Sequence, residues 1–83
     1  MCRSQLDLLE ARYEECLGRL AAVLELEADE VSFLLGNVLV AGQVAVKLRR
    51  LFRSPEIVSA FDDVIRISAE YASTAERKAA DIP

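Results

Sequence analysis

This 83-residue sequence contains no histidine, so it lacks both the commonest general base and the commonest metal ligand. The remaining side chains that could do chemistry are two cysteines, two adjacent carboxylate pairs and one cluster of bases. Cys2 and Cys16 make a poor zinc set without histidine. On one helix they would stand about 21 Å apart, beyond the reach of a disulfide. They read as reduced structural thiols of a cytoplasmic protein, with Cys16 on an apolar stripe as a small hydrophobe. Glu14–Glu15 and Asp62–Asp63 could share a proton only if they converged, and helical neighbours point about 100° apart. Both pairs read as solvated faces. Gly36 and Gly42 form no phosphate loop, because no strand precedes them and no Gly-Lys-Ser/Thr follows. The expectation is a protein that is not an enzyme and uses no cofactor or metal.

The bases Lys47, Arg49, Arg50 and Arg53 fall in "KLRRLFR" and form the candidate contact for phosphate, nucleic acid or another partner. The net charge of −4 argues against a general nucleic-acid binder. Charge is also unevenly placed: residues 31–54 hold these four bases and no acid, while both flanking segments are acidic. In an antiparallel hairpin the start of a first helix would lie beside the bases, and Asp7, Glu10 and Glu14 would neutralise them. Bases are, in addition, the charge that a helix C-terminus prefers.

Long helices must position these residues, since Leu, Ala, Glu, Val and Arg dominate the composition. From Gln5 to about Leu26, Leu6, Leu9, Tyr13, Cys16, Leu20 and Val23 recur at spacings of three and four, with Ser4 as N-cap. Glu27, Asp29 and Glu30 then put negative charge where a second helix begins, and that helix is expected to run to about Arg53. In "RSPEI", Ser54, Pro55 and Glu56 carry the signals of a helix start. The third helix repeats its apolar pattern through Ile57, Phe61, Val64, Ser68, Tyr71 and Ala75. The fold expected is all-α, a single domain over residues 1–83. Its three long helices, at about 5–26, 28–53 and 55–79, form a helical hairpin plus a third helix and assemble into an oligomeric bundle.

The oligomer is expected because of the second helix. "VSFLLGNVLVAGQVAV", residues 31–46, contains no charged side chain, and a helix wheel finds no polar side along it. A helix that is hydrophobic all round is buried on every side or lies in a membrane. Sixteen uncharged residues that include Ser32, Asn37 and Gln43 fall short of the about 20 apolar residues of a span, so the membrane is the weaker reading. In water, two neighbouring helices cover one side, and Ser32, Leu35, Gly36, Leu39, Gln43 and Val46 are left as the seam for a second copy. The two glycines could mark a kink but read rather as points of close packing, and Asn37 and Gln43 read as polar groups that need partners.

Residues 20–35 resemble a helix-turn-helix of the repressor type at Ala21, Leu24, Leu26, Val31, Leu34 and Leu35. Glu25 stands where that motif has its turn glycine, and Glu27 and Asp29 would repel phosphate, so no function is carried over. The function expected is that of a non-catalytic helical interaction protein: a small adaptor, chaperone or inhibitor acting as a homo-oligomer. A dimeric nucleic-acid-associated regulator and a membrane-associated helix assembly are the alternatives. Its partners would be itself, most simply as a dimer, and another protein.

Overall fold

The computed structural model describes residues 4–80, so the placement expected for Cys2 lies outside them. Among these residues the chain is all-helical and has four helices: α1 (Gln5–Leu24), α2 (Ala28–Leu35), α3 (Val38–Arg49) and α4 (Pro55–Ala80). The Ser4 side chain accepts the Asp7 N–H at 3.1 Å and caps α1 as expected. Glu25 closes the helix in the left-handed region at φ 58°. It thereby adopts a backbone conformation that favours glycine, at the position where the helix-turn-helix motif has one.

The second helix expected over 28–53 is two helices. Gly36 takes φ +75°, which stops α2. Asn37 restarts the chain, its Oδ1 accepting the N–H groups of Leu39 at 2.8 Å and Val40 at 3.2 Å. A helix-ending glycine followed by an N-cap asparagine is a stop and a start in two residues. The axes of α2 and α3 differ by 94° across this break. Gly36 is thus a terminator and not a packing glycine. A Cβ there would lie 3.1 Å from Val40 Cγ2 and would also have to tolerate the positive φ.

The arrangement differs from the expected hairpin as well. Glu10 accepts a hydrogen bond from Tyr71, and Arg19 pairs with Asp63, so α1 runs antiparallel to α4. Val38 accepts from Ser68, and Arg49 pairs with Asp62, so α3 also runs antiparallel to α4. It follows that α1 and α3 are parallel to each other. They flank α4, and α2, about 12 Å long at its eight residues, carries the chain back between them. The centre of the molecule is therefore α4 and not the uncharged segment.

The expected stripe of α4 does face inward, with Phe61, Val64 and Ser68 buried and Ile57, Tyr71 and Ala75 half-buried. Ala60, Ile67 and Thr74 widen it into a helix covered on two flanks. Leu17, Leu20 and Ala21 of α1, Val31 and Leu35 of α2, and Ala41 and Ala45 of α3 complete the core. Phe52, in the turn before α4, stacks on Phe61 with ring centroids 5.6 Å apart.

The closest approach of α3 to α4 is built from small residues. Ala41 and Ala45 are fully buried, and between them Gly42 donates its N–H to Ser68 Oγ at 3.1 Å. The same hydroxyl donates to the Val38 carbonyl at 2.7 Å. Residues 38 and 42 are the acceptor and donor that an α-helix joins to each other. Ser68 of α4 thus sits astride one rung of α3 and ties the two helices through backbone groups. Gly42 is a packing glycine, as its place in an apolar helix suggested.

Among the described residues, one buried polar atom of this core has no partner, the Tyr13 hydroxyl. Burial pushes its pKa above the ordinary 10.0. Tyr13→Phe is expected to keep stability unchanged or raise it by up to about 1 kcal/mol, because the isosteric ring removes an unpaired group. In the wild type, the protonated phenol's share of stability is complete below the unfolded value and is lost as pH rises through the higher folded value. Urea melts at neutral pH and at pH 11 would show the variant losing less stability with pH. A variant clearly less stable at neutral pH would mean that the hydroxyl has a partner in solution.

Candidate interaction surface on α2 and α3

Each helix that flanks α4 buries one side and leaves another open. On α1 the open side is charged, whereas on α3 it carries Leu39, Val40 and Val46, all exposed, with Gln43 between them. On α2, Phe33 is 88% exposed and Leu34 is half-exposed. Leu51, just past α3, is 75% exposed. Val31 and Leu35 take up the inward side of α2, and the small inner face of α3 brings it close to α4. The larger apolar side chains are left pointing to solvent. Scattered exposed aliphatics are ordinary, whereas a run of them along two consecutive helices makes this the candidate surface.

Five of the six residues expected on the seam, Ser32, Gly36, Leu39, Gln43 and Val46, are exposed. Leu35 is not. Only 1% of its surface remains accessible, because it is part of the core on the inner side of α2. The bend at Gly36–Asn37 also places Ser32 on a different axis from Leu39, so these residues do not form one straight stripe. Phe33, Leu34 and Leu51 were missed as surface residues. On a wheel drawn for one unbroken helix, Phe33 and Leu34 fall beside Val44 and Leu48, which pack inward.

Along the chain, charged residues precede and follow this apolar run. Glu27, Asp29 and Glu30 precede Phe33 at the start of α2, and Lys47, Arg50 and Arg53 follow Val46. All six are exposed, and none is in an ion pair among the described residues. Arg49 differs, since its Nε pairs with Asp62 at 2.9 Å. The neutralising role expected of Asp7, Glu10 and Glu14 is not observed. Because α1 runs parallel to α3, its start lies at the far end from these bases. The acids that do meet bases are Asp62 and the neighbouring Asp63, which pairs with Arg19 and, at 2.8 Å, with Arg66. The pair expected on a solvated face is thus where α4 meets bases from both flanks. These exposed bridges contribute modestly, about 0–1 kcal/mol each.

Other features of the described residues are less developed. A groove of about 510 Å³ runs between the start of α1 and the end of α4, lined by Leu8, Leu9, Arg12, Ser73, Thr74 and Arg77 among others. Cys16 is a half-buried free thiol whose pKa is raised, first by burial and then by Asp63. A raised thiol pKa lowers the thiolate fraction and with it reactivity. No group of three or more Cys, Asp or Glu among the described residues could hold a metal ion. No single described helix is long and apolar enough to cross a membrane, although the bent α2–α3 pair passes the same test of length and composition. No protein-family model matches the chain, and no significant match was found among curated proteins or solved structures.

Proposed function

We propose that this chain is a non-catalytic helical interaction protein, a small adaptor, chaperone or inhibitor of the cytoplasm. Its α2–α3 face is the contact surface through which it acts as a homo-oligomer, most simply a dimer. The observation that carries this reading is the exposure of Phe33, Leu34, Leu39, Val46 and Leu51 along two consecutive helices.

The test is self-association of the purified chain by sedimentation velocity from low to high micromolar concentration. The wild type is expected to move toward a dimer. Leu39→Asp with Val46→Asp is expected to remain a 9.2 kDa monomer with unchanged helical circular dichroism. A wild type that stays monomeric throughout would refute the oligomeric reading. A second reading, a dimeric nucleic-acid-associated regulator, draws on Lys47, Arg50 and Arg53, which are exposed and unpaired among the described residues. It requires binding to duplex DNA or RNA that weakens steeply with salt, as counterion release dictates.

A further inference from the structure

The groove between the start of α1 and the end of α4 is a site apart from the α2–α3 face. Val38, where α3 begins, is bonded to Ser68, so α4 beyond residue 68 runs on without α3 beside it. Both walls of the groove, whose volume is about 510 Å³, come from α1 and α4 alone. Glu10 opposite Tyr71 and Arg19 opposite Asp63 set the register of these two helices. It brings Arg12 level with Glu70, Leu8 and Leu9 level with Ser73 and Thr74, and Gln5 level with Arg77. Over about 10 Å of helix the groove therefore has three zones. Its inner end holds one base and one acid, its middle two leucines and two hydroxyls, and its mouth one base and a neutral amide.

We infer that this groove binds an aliphatic monocarboxylate of medium chain length, with its chain along Leu8 and Leu9 and its carboxylate at Arg77 and Ser73. Volume, apolar surface and charge argue for it together. The volume is that of a small-molecule site. Leu8 is half-exposed and Leu9 half-buried, leaving apolar surface that an acyl chain would cover. Neither Arg12 nor Arg77 is in an ion pair among the described residues. Among the lining residues Glu70 offsets Arg12, whereas Arg77 has no acid at its level. The uncompensated positive charge is thus at the mouth, and a guanidinium receives a carboxylate through paired N–H donors. Ser73 stands one turn before Arg77 on the same face of α4, where its hydroxyl can donate to the same anion. A dianion would set its second charge near Glu70, and a cation would meet Arg77, so charge selects a monoanion.

The test is a titration of the isotope-labelled chain with octanoate, kept below its micelle-forming concentration and followed by amide NMR. Saturable shifts are expected at Leu8, Leu9, Ser73, Thr74 and Arg77. Octanoate is expected to bind at least about tenfold more tightly than butanoate, because each buried methylene adds to affinity. Arg77→Gln is expected to weaken octanoate at least about tenfold. Lys78→Gln, which removes the same charge one residue away and outside the groove, is expected to leave binding unchanged. Both side chains are exposed, and unchanged helical circular dichroism verifies that both variants fold. Absence of saturable shifts, shifts centred on Leu39 and Val46, equal binding of octylammonium, or equal weakening by the two variants would each overturn the inference. None of these outcomes bears on self-association through the α2–α3 face, so the two readings stand or fall separately.

Discussion

Phe61→Ala is expected to lower the unfolding free energy by about 3–5 kcal/mol, the range for a buried phenylalanine truncated to alanine. For a domain of 83 residues, whose whole stability is of the order of 4–12 kcal/mol, that removes about a quarter or more of what holds it folded. The magnitude follows from position. Phe61 is 1% exposed on the central helix, and the ring of Phe52 stacks against it from the preceding turn. Truncation would therefore open a cavity and free the turn that fixes the end of α3 relative to α4. A urea melt followed by circular dichroism, at one fixed protein concentration, is expected to show a much lower midpoint with an unchanged slope. A loss under about 1 kcal/mol would mean that the site can collapse around the missing ring.

The second large effect is expected at Gly42. A Cβ there would stand 2.9 Å from Ser68 Oγ and 3.1 Å from Ser68 Cβ. The hydroxyl cannot swing aside freely, because it accepts from Gly42 N–H and donates to the Val38 carbonyl. Alanine favours a helix over glycine by about 1 kcal/mol, so a surface glycine would gain from the change. Here overpacking, typically about 1–3 kcal/mol, is expected to outweigh that gain and Gly42→Ala to destabilise. A double-mutant cycle separates the causes. With Ser68→Gly, which removes both obstructing atoms, Gly42→Ala should become neutral or stabilising, giving a coupling of about 1–3 kcal/mol. A null coupling would mean that the helices part easily and that the contact is not tight in solution.

What could be read from sequence divides along the range of the interactions. Ser4, the three-and-four spacing from Leu6 to Val23 and the "SPE" start of α4 are local signals, and each corresponds to an observed helix or cap. The break at Gly36–Asn37 was local too, but an apolar run continued on both sides of it. The pair read as residues inside a helix and not as a terminator followed by a cap. The parallel placement of α1 and α3 was not legible, because it depends on pairs such as Glu10–Tyr71 and Arg49–Asp62, which are far apart in the chain. Either flanking helix could have taken the centre. The deciding residues are the small ones, Ala41, Gly42 and Ala45, whose role appears only opposite Ser68.

Consider finally the order in which the four helices are synthesised. The helix that both flanking helices pack against is the last of these four to be made, so α1 must wait for residues some sixty positions downstream before Tyr71 can reach Glu10. Until α4 has been made, the nascent chain has Leu17, Leu20, Val31, Ala41 and Ala45 in place but their principal partner absent. Loop closure over such spans slows folding, and the interval leaves greasy surface open to unwanted association. Consolidation of this fold thus waits on α4, the template that gathers the three helices made before it.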